Sequence, residues 1–349
     1  MPGRYGQNRP EYDTIHTRGH ASISYIVLTA PRFVNLTEKI FCLSIKKFPR
    51  KEEKSMDVQK AAVIGHPIGH TMSPFIHKRL FALSGIPLEY QVLDVPDLAE
   101  ALPRLRGLHC FNITIPHKSA ILPFLDEVDP AAKAFGSVNT VQVRDGKLIG
   151  YTTDGAGCRK ALENHGLSFS GSLLLLGNGG AARAIAFEAA QSVQDFAITI
   201  AHRPAAREKA DALARELAAF ARRRGDKGFL VRTETYEELR LDASQSFDLL
   251  INCTSVGMVP RAGESPVPEG VAARCRAVFD AVYNPGRTQL LRFAEKAGAK
   301  AVGGMEMLVY QAVQAHEIWY GTRFCPEDIE ALCRDAAAEM EKTFGRNEA

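Results

Sequence analysis

The chain has 349 residues, 46% of them hydrophobic and 24% charged, a balance typical of a soluble globular protein long enough for two domains. Its formal net charge of +3 is small and the excess lies in the first 55 residues, so the body carries no basic field suited to nucleic acid; nor does any run approach the roughly 20 apolar residues of a membrane span. Seven cysteines without a CxxC or a Cys/His cluster argue against structural zinc, and for reduced thiols, a cytoplasmic compartment and small-molecule partners.

Residues 1–55 lack a signal-peptide layout, and Glu11, Asp13 and Glu38 interrupt the basic character of a transit peptide. They end in the charged run PRKEEKSMD, a solvated linker, and are expected to be a disordered extension or a misassigned start, with the compact body beginning at Met56. KAAVIG (60–65) then predicts a buried strand. A helix over Pro74 to Ser84 follows, with Phe75, Ile76, Leu80 and Leu83 on its apolar face, and LEYQVLDV is a second strand.

FNITIPHK (111–118) is the third strand, with Asn112 and Thr114 at alternate positions. Pro116 has no backbone donor and so closes the strand, leaving Lys118 at the mouth of a sheet, where reactive groups collect; the plain alternative is a surface lysine opening a helix. SVNTVQVRDGKLIGY forms a hairpin turning at Asp145-Gly146, and DGAGCRKALENHG (154–166) a helix stopped by Gly166. Strands at Phe196 to Ile200, Asp248 to Asn252 and Ala277 to Ala281, and a helix over Ala205 to Arg224, continue an alternating βα pattern. From Gly304 the chain is helix-rich and is expected to pack back on the first region.

SLLLLGNGGAARAIAFEAA (172–190) is an apolar strand, a glycine-rich turn and a helix: a dinucleotide-fold opening. Gly177 allows the tight turn, Gly179 lets a pyrophosphate approach, Ala182 keeps helix and strand close, and the helix N-terminus supplies N–H groups to phosphate. An NAD site places Asp or Glu near the end of the next strand, whereas this chain has His202, Arg203 and Arg207. Two guanidiniums suit a 2′-phosphate, so NADP is the expected cofactor; solvated arginines opening a surface helix are the alternative.

GHPIGHTMSP (65–74), NITIPHK (112–118), GSVNT (136–140), TTDGAG (152–157), GNGGAAR (177–183), NCTSVGM (252–258), YNP (283–285) and GMEMLVYQ (304–311) occur in one order and at spacings in which the chain resembles the shikimate dehydrogenase family. The resemblance covers residues 60 to about 340. It implies an α/β fold of two domains: an α/β substrate-binding catalytic domain (56–153 plus 304–349) faces a Rossmann-type NADP-binding domain (154–303) across a cleft. The reaction implied is reversible reduction of 3-dehydroshikimate to shikimate, by a monomer or homodimer.

By the same resemblance Lys118 is the catalytic lysine and Asp154 its partner, Asn139 and Gln311 hold ring hydroxyls, and Ser73 and Tyr283 lie near the substrate carboxylate. Thr71, a serine in most of the family, and Thr114 join the substrate side. Asn178, Gly180, Ala181, Thr254, Gly304 and Met307 join the cofactor side, with Asn178 replacing a common alanine beside the phosphate; His202 and Pro204 depart from the commoner Asn-Arg-Thr.

The residue types suit the chemistry independently. Reducing a secondary ketone needs a proton donor within about 3 Å of its oxygen, which a lysine provides, and a carboxylate orients that ammonium and offsets its desolvation. Plainer roles exist. Ser73 and Asp154 could be N-caps, Asn139 could cap a turn, and Gln311 could face outward. His66, His70 and His117 have no carboxylate or cysteine at ligand spacing, so no metal is expected. Alternatives are a quinate/shikimate dehydrogenase able to use NAD and a non-catalytic metabolite-binding relative; the motif set of a methylenetetrahydrofolate dehydrogenase is missing.

Overall fold

The computed structural model describes residues 57–69 and 71–345; the extension expected over 1–55 and His70 lie outside the described residues. Two six-stranded sheets organise the body. The first holds β1 (Gln59–Gly65), β2 (Leu88–Asp94), β3 (Cys110–Ile113), β4 (Glu127–Val128), β5 (Thr140–Arg144) and β6 (Lys147–Tyr151), in the order β2-β1-β3-β5-β6-β4. β1 is parallel to β2 and β3 and buried on both faces over Ala61 to Gly65, which is why it is continuously apolar. The β5–β6 pair is the predicted hairpin.

The second sheet is wholly parallel: β7 (Ser172–Leu176), β8 (Ala197–His202), β9 (Leu230–Thr235), β10 (Phe247–Asn252), β11 (Cys275–Asp280) and β12 (Lys300–Gly303), ordered β12-β11-β10-β7-β8-β9. That is the doubly wound dinucleotide order, and the strand sequence reverses between β7 and β10, where such sheets bind ligands at their carboxyl ends. Leu173 and Leu175 of β7 pack into one core and Leu174 and Leu176 into the other, so the SLLLL run fills both faces.

The helices are α1 (Ser73–Ser84), α2 (Leu98–Arg106), α3 (His117–Ala120), α4 (Pro130–Phe135), α5 (Asp154–Asn164), α6 (Gly180–Ser192), α7 (Arg207–Arg223), α8 (Tyr236–Leu241), α9 (Glu269–Ala272), α10 (Gln289–Lys296), α11 (Met305–Tyr320) and α12 (Pro326–Phe344). α11 and α12 return to the first region: Val309, Ala312, Ile329 and Leu332 share a core with Met72, Ile76 and Leu80 of the α1 segment, and Trp319 donates its ring N–H to Val141 O at 3.1 Å. α5 packs closely on α11 through Gly157, where an added Cβ would lie 2.9 Å from the backbone N of Gln311. This contact draws the start of α5 and the middle of α11 together, and the candidate site is built there.

Several expectations need correction. β3 ends at Ile113 rather than Ile115; Thr114 N still bonds Ile64 O at 2.8 Å, but β5 supplies no antiparallel partner beyond Asn112. Leu83 is 45% exposed, off the buried face of α1. β8 runs on to His202, and the helix expected from Ala205 begins at Arg207 after a tight turn over Pro204–Ala206. β9 was not foreseen, because an edge strand reading LVRTET has no apolar run. Among the described residues Cys110, Cys158, Cys253, Cys275 and Cys333 are free. Among the described residues no helix is long and apolar enough to cross a membrane.

Candidate active site

Lys118 lies on the one-turn helix α3 just past β3, and Asp154 is the first residue of α5. Lys118 Nζ donates to Asp154 Oδ2 at 2.6 Å, with the two side chains 15% and 5% exposed. Asp154 is not the N-cap, a position held by Thr153; its carboxylate instead gains from the positive end of an eleven-residue helix. Its second oxygen accepts from Asn139 Nδ2 at 3.0 Å.

Asn139, on the segment entering β5, is the hub. Its Oδ1 accepts Thr153 N at 2.8 Å, which fixes the amide so that Nδ2 faces Asp154 and Gln311 Oε1, the latter at 3.2 Å. Gln311 is buried rather than outward-facing, and its Nε2 donates to Leu308 O at 2.8 Å. Lysine, carboxylate, carboxamide and carboxamide therefore form one chain from α3 through α5 to α11.

This chain borders a cavity of about 150 Å³ that Ser73, Asn112, Thr114, Tyr283, Gly304 and Met307 help to line. Ser73 is the first helical residue, not the cap; its N–H donates to Thr71 Oγ1 at 3.2 Å and its hydroxyl meets the same oxygen at 3.1 Å. Tyr283 bonds Thr71 and the backbone of Met72, and desolvation holds its phenol above the usual range. Thr71 thus ties Ser73 to Tyr283 without itself lining the cavity. Gly304 and Met307, expected on the cofactor side, line this inner cavity.

A second, larger cavity of about 590 Å³ meets the first at Thr114, Lys118 and Ala181. Gly177, Asn178, Gly179, Gly180, His202, Arg203 and Thr254 line it as expected. At Gly180 an added Cβ would sit 2.8 Å from Lys118 Cβ, so glycine lets the turn after β7 lie against the lysine. Asn178 Nδ2 donates to Ala206 O at 3.1 Å and pins the turn to the segment after β8. His202 is buried, its Nδ1 bonded to Arg203 O at 2.9 Å.

Arg207 is not among the lining residues; its guanidinium lies 3.6 Å from the Glu238 carboxylate. Tyr236 and Arg261 line the cavity and were missed. Tyr236 follows the cap in a T-x-x-E capping box that the sequence does display, whereas nothing near Arg261 marks it. Asn112 was also missed as a site residue, although it alternates with Thr114; it accepts from Tyr90 Oη at 2.9 Å. Of the histidines, His66 faces Asp94 at 3.0 Å and His117 bonds Val95 O at 2.6 Å.

The segment after β10, which lines the outer cavity beside Gly177, is fixed by Asp280. Its Oδ1 accepts Asn252 Nδ2 at 2.9 Å and its Oδ2 accepts Thr288 Oγ1 at 2.6 Å, while Asn252 Oδ1 receives Thr254 N and Oγ1. Burial pushes the Asp280 carboxyl up from 3.8 to about 6. Between those values the folded protein keeps a proton that the unfolded chain has lost, so this residue's contribution to stability falls as pH rises through the window and is constant above it. Asp280→Asn is therefore expected to gain stability relative to wild type as pH rises from about 4 to about 6. Parallel denaturation-against-pH curves for the two proteins would contradict this.

Residues 63–141 match the family model described as the shikimate dehydrogenase substrate binding domain. A shikimate dehydrogenase (NADP(+)) of Moorella thermoacetica is 39% identical over 286 residues, spanning 79% of this chain and 92% of the relative. One from Methanocaldococcus jannaschii is 40% identical over 269 residues, spanning 74% and 90%. The crystal structure of the Thermus thermophilus shikimate 5-dehydrogenase in complex with NADP(H) and shikimate superposes with a TM-score of 0.68 at 32% identity, covering 80% of this chain and 100% of that one.

Proposed function

Because this chain belongs to the shikimate dehydrogenase family, we propose that it catalyses the reversible NADP-dependent reduction of 3-dehydroshikimate to shikimate, with Lys118 as proton donor and acceptor and Asp154 as its partner. The observation that carries the reading is the Lys118–Asp154 pair at the junction of the two cavities. Residues 56–153 with 304–349 form the substrate side, and 154–303 the cofactor side.

The outer cavity suits a dinucleotide. Gly177 takes φ +100°, which only glycine holds without strain, and Gly179 has open space where a Cβ would be. The thirteen-residue helix α6 begins at this turn and directs its N-terminal N–H groups and positive end to a phosphate position. No Asp or Glu is among the lining residues, so nothing there repels a 2′-phosphate. When bound, the nicotinamide supplies the hydride.

The protein's own groups do the rest. The Lys118 ammonium hydrogen-bonds the substrate oxygen and gives up a proton as negative charge develops on it; in the oxidation direction neutral Lys118 takes the hydroxyl proton. Asp154 holds the ammonium in place and balances its charge where water is sparse. Asn139 and Gln311 offer paired donors and acceptors to a polyhydroxylated ring, a match that discriminates strongly against analogues lacking a hydroxyl. Hydroxyls of Ser73 and Tyr283 meet the carboxylate, and Thr71 holds the two in place from behind.

Following nicotinamide absorbance with shikimate or quinate, and with NADP or NAD, tests this. Turnover is expected to be fastest with shikimate and NADP. Preference for quinate and NAD would favour the second reading, to which Thr71 and the diversion of Arg207 to Glu238 lend support. Absence of turnover with any pair would refute the assignment.

A further inference from the structure

We propose that Tyr90, which lines neither cavity, is a positioning residue for the substrate: its hydroxyl fixes which end of the Asn112 carboxamide faces the inner cavity. The proposal rests on the substrate reading above and deepens it. Asn112 lines the inner cavity beside Ser73 and Thr114. A carboxamide is a donor at one end and an acceptor at the other, so a half-turn about its last bond would exchange what a substrate meets.

The neighbours of Asn112 settle that half-turn. Tyr90 Oη donates to Asn112 Oδ1 at 2.9 Å. Asn112 Nδ2 lies 3.5 Å from Asn139 O, a carbonyl that can only accept, and 3.5 Å from Thr140 Oγ1. Both contacts are at the outer limit of a hydrogen bond, so the N–H groups keep donor capacity for a substrate oxygen. Asn139 O already accepts Ile113 N at 2.8 Å. The short bond to this side chain is therefore the one from Tyr90, and it holds the acceptor end away from the substrate. Burial keeps the phenol above its usual range, so Tyr90 retains the proton it donates.

Tyr90 is in turn held by a stack of rings. Its ring lies on that of His77 in α1, with centroids 4.7 Å apart and planes 11° apart, and His77 lies on His316 of α11 at 5.4 Å and 20°. His77 Nδ1 and His316 Nε2 share a hydrogen bond at 3.3 Å, while His77 Nε2 and His316 Nδ1, both buried, have no partner. Desolvation holds both imidazoles well below the usual range, so the stack is uncharged at neutral pH. Because α1 begins at Ser73 and α11 carries Gln311, the stack ties the Asn112 amide to two other elements of the inner cavity.

Steady-state kinetics and shikimate calorimetry on wild type, Y90F, N112A and the double variant test this. Y90F keeps the ring and its stack and removes only the hydroxyl. It is expected to raise KM for shikimate and weaken shikimate binding by roughly fivefold, the scale of one neutral hydrogen bond, with kcat and KM for NADP within about twofold of wild type. In the N112A background the same change should alter binding by less than about twofold, because its effect passes through that amide. Unaltered shikimate binding in Y90F would overturn the proposal. So would an equal loss in the N112A background, or a rise in KM for NADP and a fall in kcat that match the loss for shikimate, as a general disturbance of the fold would give. A wild type that binds shikimate without oxidising it would count against the catalytic reading alone, since the calorimetric comparison still stands; a wild type that does not bind shikimate would overturn both.

Discussion

Lys118→Ala is expected to lower kcat by roughly a hundredfold or more while leaving the fold intact, the scale of a lost general acid. The lysine side chain lies on a one-turn helix at the edge of two cavities and is not part of an apolar core, so its truncation removes no packing layer. Removing the ammonium leaves Asp154 with Asn139 Nδ2 at 3.0 Å, which keeps that carboxylate partly satisfied. KM for substrate should change much less than kcat, because the lost bond strengthens as charge develops on the substrate oxygen. Steady-state kinetics with a melting curve decide it; near-normal kcat in a folded variant would remove Lys118 from the chemistry.

Asp154→Ala is expected to be the more damaging change to stability. It strips Lys118 of the carboxylate 2.6 Å away while that ammonium is only 15% exposed, and it leaves Asn139 Nδ2 short of one acceptor. Breaking such a pair from one side costs about 3 kcal/mol or more, since the remaining charge stays desolvated. With the ammonium no longer oriented, kcat should also fall, by roughly tenfold to a hundredfold for a misplacement near 1 Å. A Lys118→Met, Asp154→Ala double variant should be more stable than Asp154→Ala alone, because no unpaired charge remains. Urea denaturation of wild type, Lys118→Met, Asp154→Ala and the double variant closes the cycle; additive losses would mean that the two side chains do not act as a pair.

Much of this site was legible before any coordinates. Lys118 shortly after a strand, the glycine turn after SLLLL, and Asp154 at a helix start are features of local sequence, although β3 stops at Ile113, before the proline expected to close it. The convergence of Lys118, Asn139, Asp154 and Gln311 rested on the family resemblance, because side chains this distant in sequence meet only through the packing of α5 on α11.

What stayed hidden depends on contacts between elements. The 3.6 Å approach of Arg207 to Glu238 is one of them, since the two lie on different helices. The bond from the Asn178 amide to Ala206 O is another, since it joins the glycine turn to the segment after β8. Arg261 lines the outer cavity from a loop position that no local pattern marks. β9 escaped notice since this edge strand, LVRTET, lacks the continuous apolar run of the central strands.

The central claim is that Lys118, held by Asp154, protonates the substrate oxygen beside the cofactor turn. The most direct measurement is a single-turnover mixing of NADPH-loaded protein with 3-dehydroshikimate, comparing wild type with Lys118→Ala after calorimetry has established that both bind both ligands. The account predicts stoichiometric NADPH oxidation by wild type and a decay slowed by roughly a hundredfold or more in the variant. Equal decay rates in the two proteins, or no oxidation by a wild type that binds both ligands, would contradict it.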